Sequence, residues 1–103
     1  MRMMMTVAME TEKCNEAVRS GKLMTAMQQI LADLKPEAAY FTANEQGRRT
    51  GYLFFDLAHA SDIPKLAEPW FLAFNAEVTF RPVMTPQDLA KAAPDIEHAV
   101  KNY

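Results

Sequence analysis

Apolar residues recur along this chain at two spacings, and the switches between them mark out the elements. Arg2 to Met9 is an almost continuous apolar run with Thr6 inside it, the pattern of a buried strand. From Thr11 to Lys35 the spacing is helical, with an interruption at Ser20-Gly21. Beyond it, Leu23, Met27, Ile30, Leu31 and Leu34 share one helix face. Gly21 is expected to end a first short helix, and Pro36 to close the second. Glu37 to Glu45 and Thr50 to Leu57 alternate and are rich in aromatics. The Gln46-Gly47-Arg48 step between them predicts a hairpin with a three-residue loop. Ser61 is placed to cap the next helix, with Pro64 in its first turn. That helix carries Leu66, Trp70, Phe71 and Phe74. Pro69 lies too deep for the first turn, so a bend or a restart is expected there, and a left-handed Asn75 is expected to end the helix. Glu77 to Met84 is a fourth strand. Thr85 to Asp88 (TPQD) opens a third helix, which Pro94 splits to leave a terminal one.

The order β-α-β-β-α-β with right-handed crossovers predicts an α+β, ferredoxin-like βαββαβ fold with a four-stranded antiparallel sheet. The first and third strands should be central, because their apolar runs are the most continuous. The fourth carries Glu77, Arg81 and Pro82, which suit an edge. The three-residue loop pairs Tyr40 with Phe54 and Thr42 with Tyr52, and sets Ala38 opposite Asp56. Alternation then directs Phe41, Leu53, Phe55, Leu57, Met3, Met5, Val7, Val78 and Phe80 toward the helices. Met4, Thr6, Tyr40, Thr42, Tyr52, Phe54, Asp56, Thr79 and Arg81 form a second face, aromatic and polar together. Two main helices cover only one side of such a sheet. The second face is therefore expected to be a homodimer interface or a ligand pocket, with the terminal helix reaching across to the partner or folding back over its own sheet.

Composition narrows the classes. The chain has 103 residues, which suits one domain spanning 1–103. Lys and Arg are scattered and the net charge is −2, so no electrostatic footprint for nucleic acid exists. No apolar run is long enough for a membrane span. The lone Cys14 excludes an internal disulfide and, without a signal sequence, leads to the expectation of a cytoplasmic protein. His59 and His98 have no metal-ligand spacing, and no phosphate loop or nucleophile motif occurs, so neither a metal nor a cofactor is expected. The Trp70, Phe71 and Phe74 cluster is read as core, Cys14 as a plain thiol and Glu68 as a surface carboxylate.

PEAAYFTA, GRRTGYLFFD, LAEPWFLAFNAEV and PVMTPQDLAKA together resemble a family of small bacterial proteins of unknown function in the dimeric α+β barrel superfamily. The resemblance implies a ferredoxin-like homodimer and carries over no catalytic residue. The expected function is a homodimeric binding or assembly module, with a small-molecule ligand as a second partner. The alternative is a cofactor-free isomerase or monooxygenase acting on a small anionic or aromatic metabolite. The candidate pocket or interface is Thr6, Tyr40, Thr42, Tyr52, Phe54, Asp56 and Arg81. Tyr40 and Tyr52 would line it, Arg81 would hold an anion, and Asp56 or His59 would move protons.

Overall fold

Lys35 and Asn75 are the two non-glycine residues with positive φ, and each turns the chain from a helix into a strand. At Asn75 the amide donates to the carbonyl of Phe71 and the next amide, of Ala76, donates to that of Trp70, so the last turn closes on itself. The computed structural model describes residues 1–103. Its elements are β1 (Arg2–Ala8), α1 (Thr11–Arg19), α2 (Leu23–Leu34), β2 (Ala38–Ala43), β3 (Arg49–Asp56), α3 (Ile63–Phe74), β4 (Glu77–Pro82), α4 (Pro86–Lys91) and α5 (Ala93–Asn102), with a short 3-10 turn at Ala60–Asp62. The sheet is antiparallel throughout in the order β2-β3-β1-β4. That α+β arrangement is compatible with a ferredoxin-like fold, and the expected central and edge strands stand.

The core lies between one sheet face and α1 to α3. Met5, Val7, Leu53 and Phe55 point up from the central strands. They meet Cys14, Met27, Ile30, Leu66, Trp70 and Phe74 from the helices. Trp70 and Phe74 are one turn apart with ring centroids 6.2 Å apart, and both are fully buried. This pair is packing, as its spacing predicts. Phe71, read from the sequence as part of the same core cluster, is instead 40 % exposed and stands outside it, on a flank of α3 turned from the sheet.

Three further local expectations are corrected. Tyr40 pairs with Tyr52, Thr42 with Thr50 and Ala38 with Phe54, a register two residues from the predicted one. The cause is Asn44, whose side-chain oxygen accepts from the amides of Gln46 and Arg48 while Gly47 takes φ 78°. This Asx turn makes a loop of 44–48 rather than three residues. A shift of two preserves the alternation, so every strand residue keeps its face. Ser61 does not cap α3: it lies inside the 3-10 turn and makes no capping hydrogen bond. Finally, of the bend or restart expected at Pro69, the restart does not occur: α3 runs through it as one helix. The core holds both sides of that proline, Leu66 before it and Trp70 after it, which offsets the missing hydrogen bond.

Gly51 sits in β3 facing the helices, opposite Phe41, whose ring lies across it. A Cβ built there would stand 2.9 Å from that ring. Gly51→Val is therefore expected to destabilise the fold by about 1–3 kcal/mol through overpacking. The cost should shrink in a Phe41→Ala background. Urea-unfolding midpoints of the four chains measure this, and an undiminished cost would show that the ring is not what the new side chain meets.

Candidate functional site

The second sheet face carries no covering element. α4 and α5 bury none of their residues, and the terminal helix does not fold back over its own sheet. Tyr40 is 65 % exposed and meets Phe54 edge-on, with centroids 6.5 Å apart. Met4, Thr6, Tyr52 and Phe54 are half-buried by their neighbours in the sheet alone. Of the predicted residues, Thr6, Tyr52 and Arg81 come together. With Met4, Thr79 and Phe80 they line a shallow hollow of about 350 Å³. The pairing that assembles it is Thr6 between Tyr52 and Thr79, with Arg81 opposite Met4. Tyr40 and Phe54 lie beside this hollow rather than in it. Thr42 borders a different cavity.

Asp56 is at the far end of β3, opposite Arg2, and does not line the hollow. The N-terminal ammonium donates to its Oδ1 at 2.9 Å. That hydrogen bond, then the ammonium charge and more distantly Arg2, hold its carboxyl below the usual carboxylate range. A carboxylate so stabilised in its ionised form is a poor proton acceptor near neutral pH. His59 is exposed in the loop ahead of the 3-10 turn, and Glu68 is exposed on α3. Cys14 is fully buried, with its Sγ 4.0 Å from Met9 Sδ. Its burial keeps the thiol from solvent partners. No group of three His, Cys, Asp or Glu side chains converges, and no helix is long and apolar enough to cross a membrane.

The terminal segment is a second unpartnered surface. A capping box between Thr85 and Asp88 starts α4: the Asp88 amide donates to Thr85 Oγ1, and the Thr85 amide to Asp88 Oδ2. These bonds lower the Asp88 carboxyl, which fixes it ionised at the helix start. Beyond it Leu89, Ile96, Val100 and Tyr103 fall at helical spacing and are all more than half exposed. The segment stands away from the sheet. The molecule measures 59 × 28 × 20 Å with a radius of gyration of 17.1 Å, where about 13 Å is usual for this length.

The third surface was not anticipated from the sequence. It is a groove of about 510 Å³ between α2 and the β2–β3 hairpin, on the helix side of the sheet. Leu23, Met24, Met27 and Leu31 of α2 form one wall. Phe41 forms the other, and Arg49 and Thr50 close the end. It exists because the helices sit over the central strands and leave edge strand β2 uncovered, so that Phe41 stays 47 % exposed. The signal in the sequence was Gly51, a glycine at a core-facing strand position, which lets an aromatic from the next strand lie flat over it. Among known proteins, no family model and no curated relative matches this chain.

Proposed function

We propose that this chain is a homodimeric binding or assembly module of the dimeric α+β barrel type. Two copies stack their second faces, and the α4–α5 arm of each crosses onto the other. The observation that carries this reading is the arm itself. α5 has 10 residues and α4 has 6, and isolated helices shorter than about 12–15 residues are marginal in water. A stripe of Leu89, Ile96, Val100 and Tyr103 that covers nothing on its own subunit needs an apolar surface elsewhere. The bare face of a second copy offers Met4, Tyr40, Tyr52 and Phe54. Three of the four are already half-buried, so covering them contributes on the order of 3–6 kcal/mol before association costs.

A second reading places a small anion in the hollow of Thr6, Tyr52, Thr79 and Arg81, which a stacked partner would roof over. The clustered hydroxyls and a single cation favour binding there. The position and ionised state of Asp56 give that hollow no general base, so catalysis is the weaker form of this reading.

Sedimentation equilibrium at micromolar concentration is expected to return twice the chain mass. Tyr52→Asp combined with Phe54→Asp should return the monomer, because it sets charges at the centre of the covered face. A monomeric parent protein would end the dimer reading, and a dimer indifferent to both changes would move the interface to another face. Ile96→Asp with Val100→Asp tests the arm separately. Both residues are exposed on the subunit, so the fold should hold by its unfolding midpoint while dimer dissociation rises at least about tenfold. Unchanged dissociation would remove the arm from the interface.

A further inference from the structure

The two edges of the sheet are finished differently. β2 pairs with β3 in an unbroken register, from Ala38 opposite Phe54 to Ala43 opposite Arg49. The Asn44 amide donates to the Arg48 carbonyl, and the bonded rungs then fall at every second position: Thr42 with Thr50, Tyr40 with Tyr52, Ala38 with Phe54. Ala39, Phe41 and Ala43 therefore turn their amides and carbonyls away from the sheet. No loop, turn or side chain accepts from those three amides. Of their carbonyls only that of Ala43 meets a side-chain donor, the Thr42 hydroxyl at 3.4 Å. At the other edge the Val83 amide donates to the Arg2 carbonyl, so the outward positions of β4 are Val78, Phe80 and Pro82. Proline offers no N–H, and the charges of Glu77 and Arg81 stand among these positions; both features blunt an edge. β2 (AAYFTA) has neither proline nor charge, and Tyr40 to Ala43 are exposed. The α4–α5 arm follows β4, at the opposite edge, and does not cover it.

We propose that the β2 edge is a self-association surface, on which β2 of a second copy pairs antiparallel about a two-fold axis at Phe41. The two four-stranded sheets then become one continuous sheet. In this register Ala39 meets the partner's Ala43, Phe41 the partner's Phe41, and Ala43 the partner's Ala39. These are three bonded rungs of two hydrogen bonds each, and they use every outward amide of both strands. Centring the pair on Tyr40 or Thr42 instead leaves two such rungs. On the helix side the two Phe41 rings come together with alanines on either flank, and on the other side Tyr40 stands opposite the partner's Thr42. No like charges meet within the paired segment. Glu37 and Glu45 lie beyond its ends, and Glu37 is held by Arg2. An extended peptide of any sequence reaches the same amides. A second β2 brings an equally bare edge and neutral side chains, so one contact satisfies both strands. The pairing uses backbone groups that stacking of the second faces leaves free, and it does not depend on that stacking.

A strand pair is a small interface, so association is expected only above about 100 µM. Residue-resolved hydrogen exchange of the full chain at about 50 µM and about 1 mM reads it directly. The amides of Ala39, Phe41 and Ala43 should exchange at least about threefold more slowly at the higher concentration, and those of Val78 and Phe80 should not change. Ala39→Pro removes an outward amide and no ladder bond. It should abolish the concentration dependence at Phe41 and Ala43 with the urea-unfolding midpoint retained. Ala43→Pro, at the exposed end of the strand, should do the same at Ala39 and Phe41. The slowing should persist in Tyr52→Asp with Phe54→Asp, so failure of the stacked faces and failure of the edge are read separately. Exchange independent of concentration at all three amides would overturn the proposal, as would slowing that survives both proline variants. Equal slowing at Val78 and Phe80 would also overturn it, since β2 would then pair with the partner's β4.

Discussion

Burial of Trp70 and Phe74 over the central strands is the contact on which the rest of the molecule depends. The two rings are the largest fully buried side chains, and they bring α3 down onto Met5, Val7 and Leu53. With α3 pinned there, α2 packs beside it and presents Met27 and Ile30 to the same cluster. Two helices side by side then occupy the middle of the sheet and no more. Both open surfaces follow. The outer strand β2 is left with an uncovered flank, where the groove lies, and the opposite face of the sheet is left with no helix at all. The pair carries one local cost. The indole N–H of Trp70 is buried without a hydrogen-bond partner, and Trp70 lines none of the hollows, so packing alone offsets the loss.

The sequence carried the element order, the central strands and both sheet faces, because those depend on alternation, and alternation survives small errors. Tyr40 and Tyr52 lie on the second face whether the hairpin closes over three residues or five; only their pairing differs. That pairing rested on Asn44, whose side chain imitates the backbone of a turn. A single Asn beside a Gly-containing loop does not announce which amides it will accept from. Ser61 misled in a related way. Its residue type suits a helix cap, yet a 3-10 turn at Ala60–Asp62 occupies the helix entrance and leaves its hydroxyl unused. At Pro69 the helix does not restart, because a helix whose buried residues lie on either side of a proline tolerates the break in its ladder.

The candidate site was only partly legible. Thr6, Tyr52 and Arg81 converge because they occupy adjacent rungs of β3, β1 and β4, which the predicted strand order already implied. Asp56 failed to join them because its position along β3, opposite Arg2, is set by register and not by face. The groove was invisible for a different reason. Its existence depends on how far α2 reaches over the sheet, and hydrophobic periodicity says which side of a helix is buried but not how wide a sheet it covers.

The two open surfaces differ in what can close them. The second face is broad and shallow, and its hollow is only about 350 Å³. A small ligand there would leave most of its own surface in water, so a flat surface of comparable breadth suits it better. In the proposed dimer the arm would supply part of such a surface, and a second copy of the chain the rest, at no cost in additional sequence. The groove is narrower and apolar along its length. In the proposed dimer, the stripe of Leu89, Ile96, Val100 and Tyr103 is matched by the breadth of the sheet face rather than by the groove.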